Sequence, residues 1–106
     1  MKIGWTTVET RPQAEQLAQG LIDQRLAVCV QIEGPITSVY RWDQQTTSSP
    51  EYRLMVKFLS ARETALEAWI LSHHPYDTPE WIVVSATHVA EKYLSWAQAD
   101  SSSLPL

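Results

Sequence analysis

The chain has 106 residues, 44% of them hydrophobic and 19% charged, and its eight basic and twelve acidic side chains give a formal net charge of −4. That length is one domain, and the composition argues against a disordered chain. A net negative charge without any lysine or arginine run argues against nucleic acid, and no apolar run is long enough to cross a bilayer as a helix.

Residues 3–8 are short, apolar and β-branched and predict a strand. Thr10-Arg11-Pro12-Gln13 has the form of a capping box with proline in the first turn, so a helix opens there. Ala14, Leu17, Ala18, Leu21 and Ile22 recur behind it at helical spacing. From Leu26 large apolar residues alternate with Ala27, Cys29 and Gln31, which predicts a strand buried on both sides near its start. Gly34-Pro35 interrupts this run and a β pattern resumes over 36–42, so the pair reads as a bulge within one strand. Residues 43–50 are polar and rich in Ser and Thr and predict a turn. Residues 52–59 predict a third strand, with Tyr52, Leu54, Val56 and Phe58 on one face. A second capping-box pattern, Ser60-Ala61-Arg62-Glu63, opens a helix carrying Leu66, Trp69 and Ile70 inward, and His74-Pro75 ends it. Residues 81–86 predict a fourth strand and 89–97 a last helix. Residues 1–106 thus form one domain, with an ordered core over 2–97 and a polar tail over 98–106.

The order β-α-β-β-α-β-α defines an α+β class, a ferredoxin-like βαββαβ sandwich with an additional C-terminal helix. The second strand is too long for it. From Leu26 to Trp42 it would reach about 55 Å fully extended, whereas each four-turn helix covers about 20–25 Å. The far half of this extended hairpin, with Tyr40, Trp42, Tyr52 and Leu54, must overhang its own core. Exposed apolar strands of this kind call for pairing, most simply with other copies of the chain.

Few residues carry obvious chemistry. Cys29 lies between Val28 and Val30, where a cysteine is either a small core residue or a soft-metal ligand. As the sole cysteine it excludes an internal disulfide framework. Together with an N-terminus that has no signal-peptide pattern, it points to a cytoplasmic protein. The segment from His74 to Glu80 gathers an imidazole, a phenol and two carboxylates around two prolines, and reads either as a structural connection or as a polar ligand site. No zinc spacing, nucleophile–base motif, Walker loop or dinucleotide glycine pattern is present. Glu51 and Lys57, on the third strand, read by default as ion-pairing residues.

Several of these stretches, taken in order, resemble the CutA family of divalent-cation tolerance proteins. They are Thr6-Thr7, Leu26-Ala27-Val28-Cys29-Val30, Ser38-Val39-Tyr40-Arg41-Trp42, Glu51, Lys57, His74-Pro75-Tyr76 with Pro79-Glu80, and Tyr93-Leu94-Ser95-Trp96. The resemblance implies a homotrimer joined by its hairpins, similar in architecture to the PII signalling proteins. It implies no required cofactor, with Cu(II) or another divalent cation as the expected ligand and Cys29 and His74 as the metal positions. It places Tyr40, Trp42, Glu51, Lys57, Tyr76, Glu80 and Trp96 along intersubunit clefts. Gln44 departs from the family pattern, standing where a turn glycine is common.

Three functions follow. The first is a non-enzymatic, metal-responsive trimer that binds neither nucleic acid nor membrane. The second is a PII-like signalling or scaffold trimer that binds a small molecule or a protein in its clefts. The third, an acyl-phosphate hydrolase, fits poorly, because the Val8–Pro12 connection has Arg11 but no glycine loop, and Glu9 would repel phosphate.

Overall fold

In the computed structural model, which describes residues 1–102, Thr10 stands extended at the N-cap of helix α1 (Arg11–Asp23). Its hydroxyl accepts from the Gln13 amide while the Gln13 side chain accepts from the Thr10 amide, so the predicted capping box forms. Helix α1 buries Ala14, Leu17 and Leu21. Strands β1 (Lys2–Val8), β2 (Cys29–Trp42), β3 (Gln45–Phe58) and β4 (Ile82–Ser85) make one sheet in the order β2-β3-β1-β4. Every neighbouring pair is antiparallel. With α1 and α2 (Glu63–His73) as its two connections, this is the expected ferredoxin-like topology.

Register sorts the side chains. Gly4, Thr6 and Val8 lie opposite Val56, Leu54 and Tyr52, on the face that packs with Leu21, Leu66 and Ile70 into the core. By alternation, Ile3, Trp5, Met55, Ile82, Val84 and Cys29 share the other face. Ile82 and Val84 are 56% and 45% exposed there.

Beyond Val8, strand β3 loses β1 as a neighbour, and residues 36–42 and 45–51 continue as a two-stranded arm. Seven residues of strand span about 23 Å, which accounts for a molecule measuring 49 × 28 × 22 Å. At the arm's root Gly34-Pro35 forms the predicted bulge, with a cis peptide bond and a register shift between Glu33 and Ile36. Gly34 has φ +153°, and a Cβ there would stand 2.6 Å from the Tyr52 ring, so glycine is required twice over.

Four boundaries differ from the sequence reading. The turn expected over 43–50 is only Asp43-Gln44, both at positive φ, as in a two-residue hairpin loop. Its polar sequence reflects solvent exposure of the arm rather than irregular backbone. Strand β2 begins at Cys29 rather than Leu26. Arg25, at φ 56°, ends α1 in a left-handed cap, and the amides of Leu26 and Ala27 turn back to the Leu21 carbonyl. The Ser60 capping box does not form. Ser60–Arg62 instead make a 3-10 turn with Leu59 at its N-cap and no side-chain cap, and the Glu63 carboxylate pairs with Lys2 Nζ. Finally, helix α3 (Glu91–Ser102) runs past Ala97 into the expected tail, whose last four residues lie outside the described ones.

Candidate functional site

Helix α2 ends where proline forces it to. His74 precedes Pro75 and is extended, with φ −70° and ψ 138°, while its amide still donates to the Ile70 carbonyl at 2.9 Å. The ring is held at both nitrogens. Nδ1 accepts from the Tyr76 amide at 3.0 Å, and Nε2 lies 2.9 Å from Oγ1 of Thr6, a fully buried β1 residue. The turn so made directs the Tyr76 hydroxyl onto Glu51, donating to Oε2 at 2.7 Å. Glu51 pairs with Ile36, the first residue past the bulge. The α2–β4 connection is therefore tied to the arm at its root.

The charges around this point are mostly negative. The Tyr76 hydroxyl is pushed well above its usual range, by burial first, then by its bond to Glu51 and by the Glu51 and Glu9 carboxylates. His74 is lowered by burial, against a backbone hydrogen bond at Thr7 and the Glu51 charge. The Glu80 side chain reaches solvent, yet its carboxyl is raised, by partial desolvation first and then by Glu51, with Arg53 opposing. Arg53 is itself engaged by Glu33, directly opposite on β2.

Glu80 has a consequence for stability. Its pKa is higher folded than unfolded, so its contribution is fully present below the ordinary glutamate value. That contribution is lost as pH rises through the raised value. Glu80→Gln is therefore expected to match the parent under acid and to exceed it in stability at neutral pH. Urea midpoints at pH 4 and pH 7 measure this, and a variant less stable than the parent at pH 7 contradicts it.

The predicted cleft residues fall in three places within the chain. Glu51, Tyr76 and Glu80 come together at the arm's root, with Tyr40 close enough to act on the Tyr76 hydroxyl. Trp42 is at the arm's tip and 70% exposed. Lys57 is six residues along β3 from Glu51, about 20 Å away. It lies over the Tyr93 ring at 5.7 Å, and Tyr93 in turn is 5.5 Å from Trp96. The two metal candidates do not meet. Cys29 pairs with Lys57 on the face away from α1 and α2, whereas His74 contacts Thr6 on the face those two helices cover. A sheet separates them, and no three His, Cys, Asp or Glu groups are placed to hold a metal ion among the described residues. Within one chain these residues do not fit a shared copper site.

Sequence reasoning missed Thr6 as the partner of His74, the Glu33–Arg53 pair and Arg11, which lies 5.4 Å over the Tyr52 ring. Only the second had a signal, since opposite charges face each other once the hairpin register is known.

The sheet order, the long arm and the tether at its root define a ferredoxin-like α+β domain built around an extended hairpin. The sequence model of the CutA1 divalent ion tolerance protein family matches residues 2–100. A divalent-cation tolerance protein CutA of Escherichia coli is 33% identical over 93 residues, 88% of this chain and 83% of its own. CutA of Synechococcus elongatus superposes with a TM-score of 0.92 at 35% identity, over 95% of this chain and 89% of that one. The divalent ion tolerance protein CutA1 of Ehrlichia chaffeensis does so with a TM-score of 0.92 at 27% identity, over 95% and 94%. The chain belongs to the CutA1 divalent ion tolerance family.

Proposed function

We propose that the chain acts in divalent-cation tolerance as a non-enzymatic, cytoplasmic homotrimer, each arm lying against a neighbouring subunit. The arm carries this reading. Two strands without a third neighbour are marginal alone, and Val39, Tyr40 and Trp42 are 67%, 42% and 70% exposed on them. Exposed Ile82, Val84 and Trp96 add to the apolar surface available for contact. Light scattering is expected to give about three times the 12.1 kDa chain mass. Val39→Glu with Trp42→Glu, which charges both faces of the arm, is expected to lower that mass with helix content retained. A parent that runs as a monomer sinks the proposal.

Copper enters through Cys29, a half-buried thiol on the face opposite α1 and α2 and the softest donor in the chain. Calorimetric titration with Cu(II) is expected to lose its tightest phase in Cys29→Ser. An unchanged isotherm removes Cys29 from the reading. The tether at the arm's root favours a second role for the same trimer, binding a small molecule or a protein beside Glu51, Tyr76 and Glu80. A ligand-induced thermal shift that survives a chelator supports that role, and one abolished by it supports direct cation binding.

A further inference from the structure

The family resemblance offers His74 as a cation ligand, but its hydrogen bonds give it other work. A backbone amide can only donate, so the Tyr76 N–H at 3.0 Å makes Nδ1 an acceptor and occupies its lone pair. The ring proton must then sit on Nε2, facing Thr6 Oγ1 at 2.9 Å. A metal needs a ring-nitrogen lone pair. At Nδ1 it would have to displace the Tyr76 amide, and at Nε2 it would have to displace a proton held against buried Thr6. Neighbouring His73 is different. Its Nδ1 faces the Trp69 carbonyl at 2.8 Å, its ring stacks on Trp69 at 4.0 Å, and it is exposed.

We propose that His74 is a positioning residue, closed to divalent cations, which as the neutral Nε2–H tautomer presents Tyr76 to Glu51 and so fixes the arm's root. The contact from a side chain to the amide two residues on is the one an Asn makes in a local turn. It sets the direction of Tyr76, whose hydroxyl then reaches the first β3 residue beyond the bulge. Thr6 supplies the other anchor from β1, so one imidazole joins the core strand, the α2–β4 connection and, through Tyr76, the arm.

Long-range proton–nitrogen spectra of the full-length chain at pH 7.5 test the assignment. His74 is expected to show a protonated Nε2 and an unprotonated Nδ1, and to keep both shifts when Zn(II) is added in equimolar amount. Exposed His73 and His88 serve as controls in the same spectrum. Loss of one hydrogen bond, about 1.4 kcal/mol, corresponds to about tenfold faster exchange of the Tyr76 amide in His74→Ala. His74→Asn is expected to retain the slow exchange, since its side-chain oxygen can accept the same amide. An Nδ1–H tautomer, a His74 shift change on zinc addition, or equal Tyr76 exchange in parent and His74→Ala overturns the proposal. Should His74→Ala fail to fold, the parent spectra and His74→Asn still decide it. None of these readouts depends on the oligomeric state.

Discussion

Phe58→Ala is expected to lower stability by about 3–5 kcal/mol, the range for a buried aromatic truncated in a core. Phe58 is fully buried at the end of β3, in the cluster formed by Leu21, Leu54, Val56, Leu66 and Ile70. Its ring stacks against Trp81 at 6.2 Å, so truncation opens a cavity bounded by a rigid indole rather than by a chain end that could collapse. A domain is stable by only about 5–15 kcal/mol, so the loss is a large share of the total. Trp42→Ala removes a still larger side chain, yet at 70% exposure it is expected to shift the stability of the isolated chain by less than about 0.5 kcal/mol. The two variants thus separate folding from assembly. Urea unfolding at two chain concentrations measures both, because the proposed trimer would make stability depend on concentration. A Phe58→Ala cost below 1 kcal/mol would mean that the sheet and α2 are not packed as described.

The sequence made the fold legible because its local signals agree with one another. Thr10, Gly34-Pro35, His74-Pro75 and the alternation through Tyr52, Leu54, Val56 and Phe58 each specify backbone, and all four stand where expected. The signals that failed were polar. The Ser/Thr-rich stretch before Pro50 reads as a turn because polarity and irregularity often coincide. Here it is the distal part of β3, paired with β2 in the largely exposed arm. The turn itself is Asp43-Gln44, and Gln44 at φ 64° does without the glycine that would have marked it. At Ser60 the capping pattern was correct in form, but Glu63 pairs with Lys2, 61 positions away and invisible to any local rule.

The site was legible as composition but not as geometry. Glu51, Tyr76 and Glu80 read as cleft residues, and the fold brings them together within one chain. Cys29 and His74 read as metal positions, but Cys29 lies on one face of the sheet while His74 contacts Thr6 on the other. The parity of Cys29 depends on its register with Lys57. The sequence around Asp43-Gln44 would have supplied that register only if the two-residue turn and the bulge had both been counted. Thr6 could not have been found at all. It is a buried threonine in a strand, and what makes it functional is an imidazole 68 positions later.

Gly4→Ala is expected to cost about 1–3 kcal/mol, although it adds a single methyl group. The new Cβ would lie 2.3 Å from Trp81 Cη2 and within 2.8 Å of two further ring atoms, so the indole must move. It has nowhere easy to go, with Phe58 stacked against it and β1 beneath. Gly20 gives the comparison. Its Cβ would meet Trp69 at 2.4 Å, but that indole is stacked on the exposed ring of His73 and can swing outward. Alanine also favours the α1 helix by up to about 1 kcal/mol, so Gly20→Ala is expected to be nearly neutral. If the Trp81 ring is what Gly4 accommodates, Trp81→Leu should cost less in the Gly4→Ala background than in the parent. Residues in contact couple by about 0.5–3 kcal/mol, well within reach of urea titrations on the four chains of the cycle. Additive costs would show that Gly4 is needed for its backbone alone and that Trp81 does not rest on it.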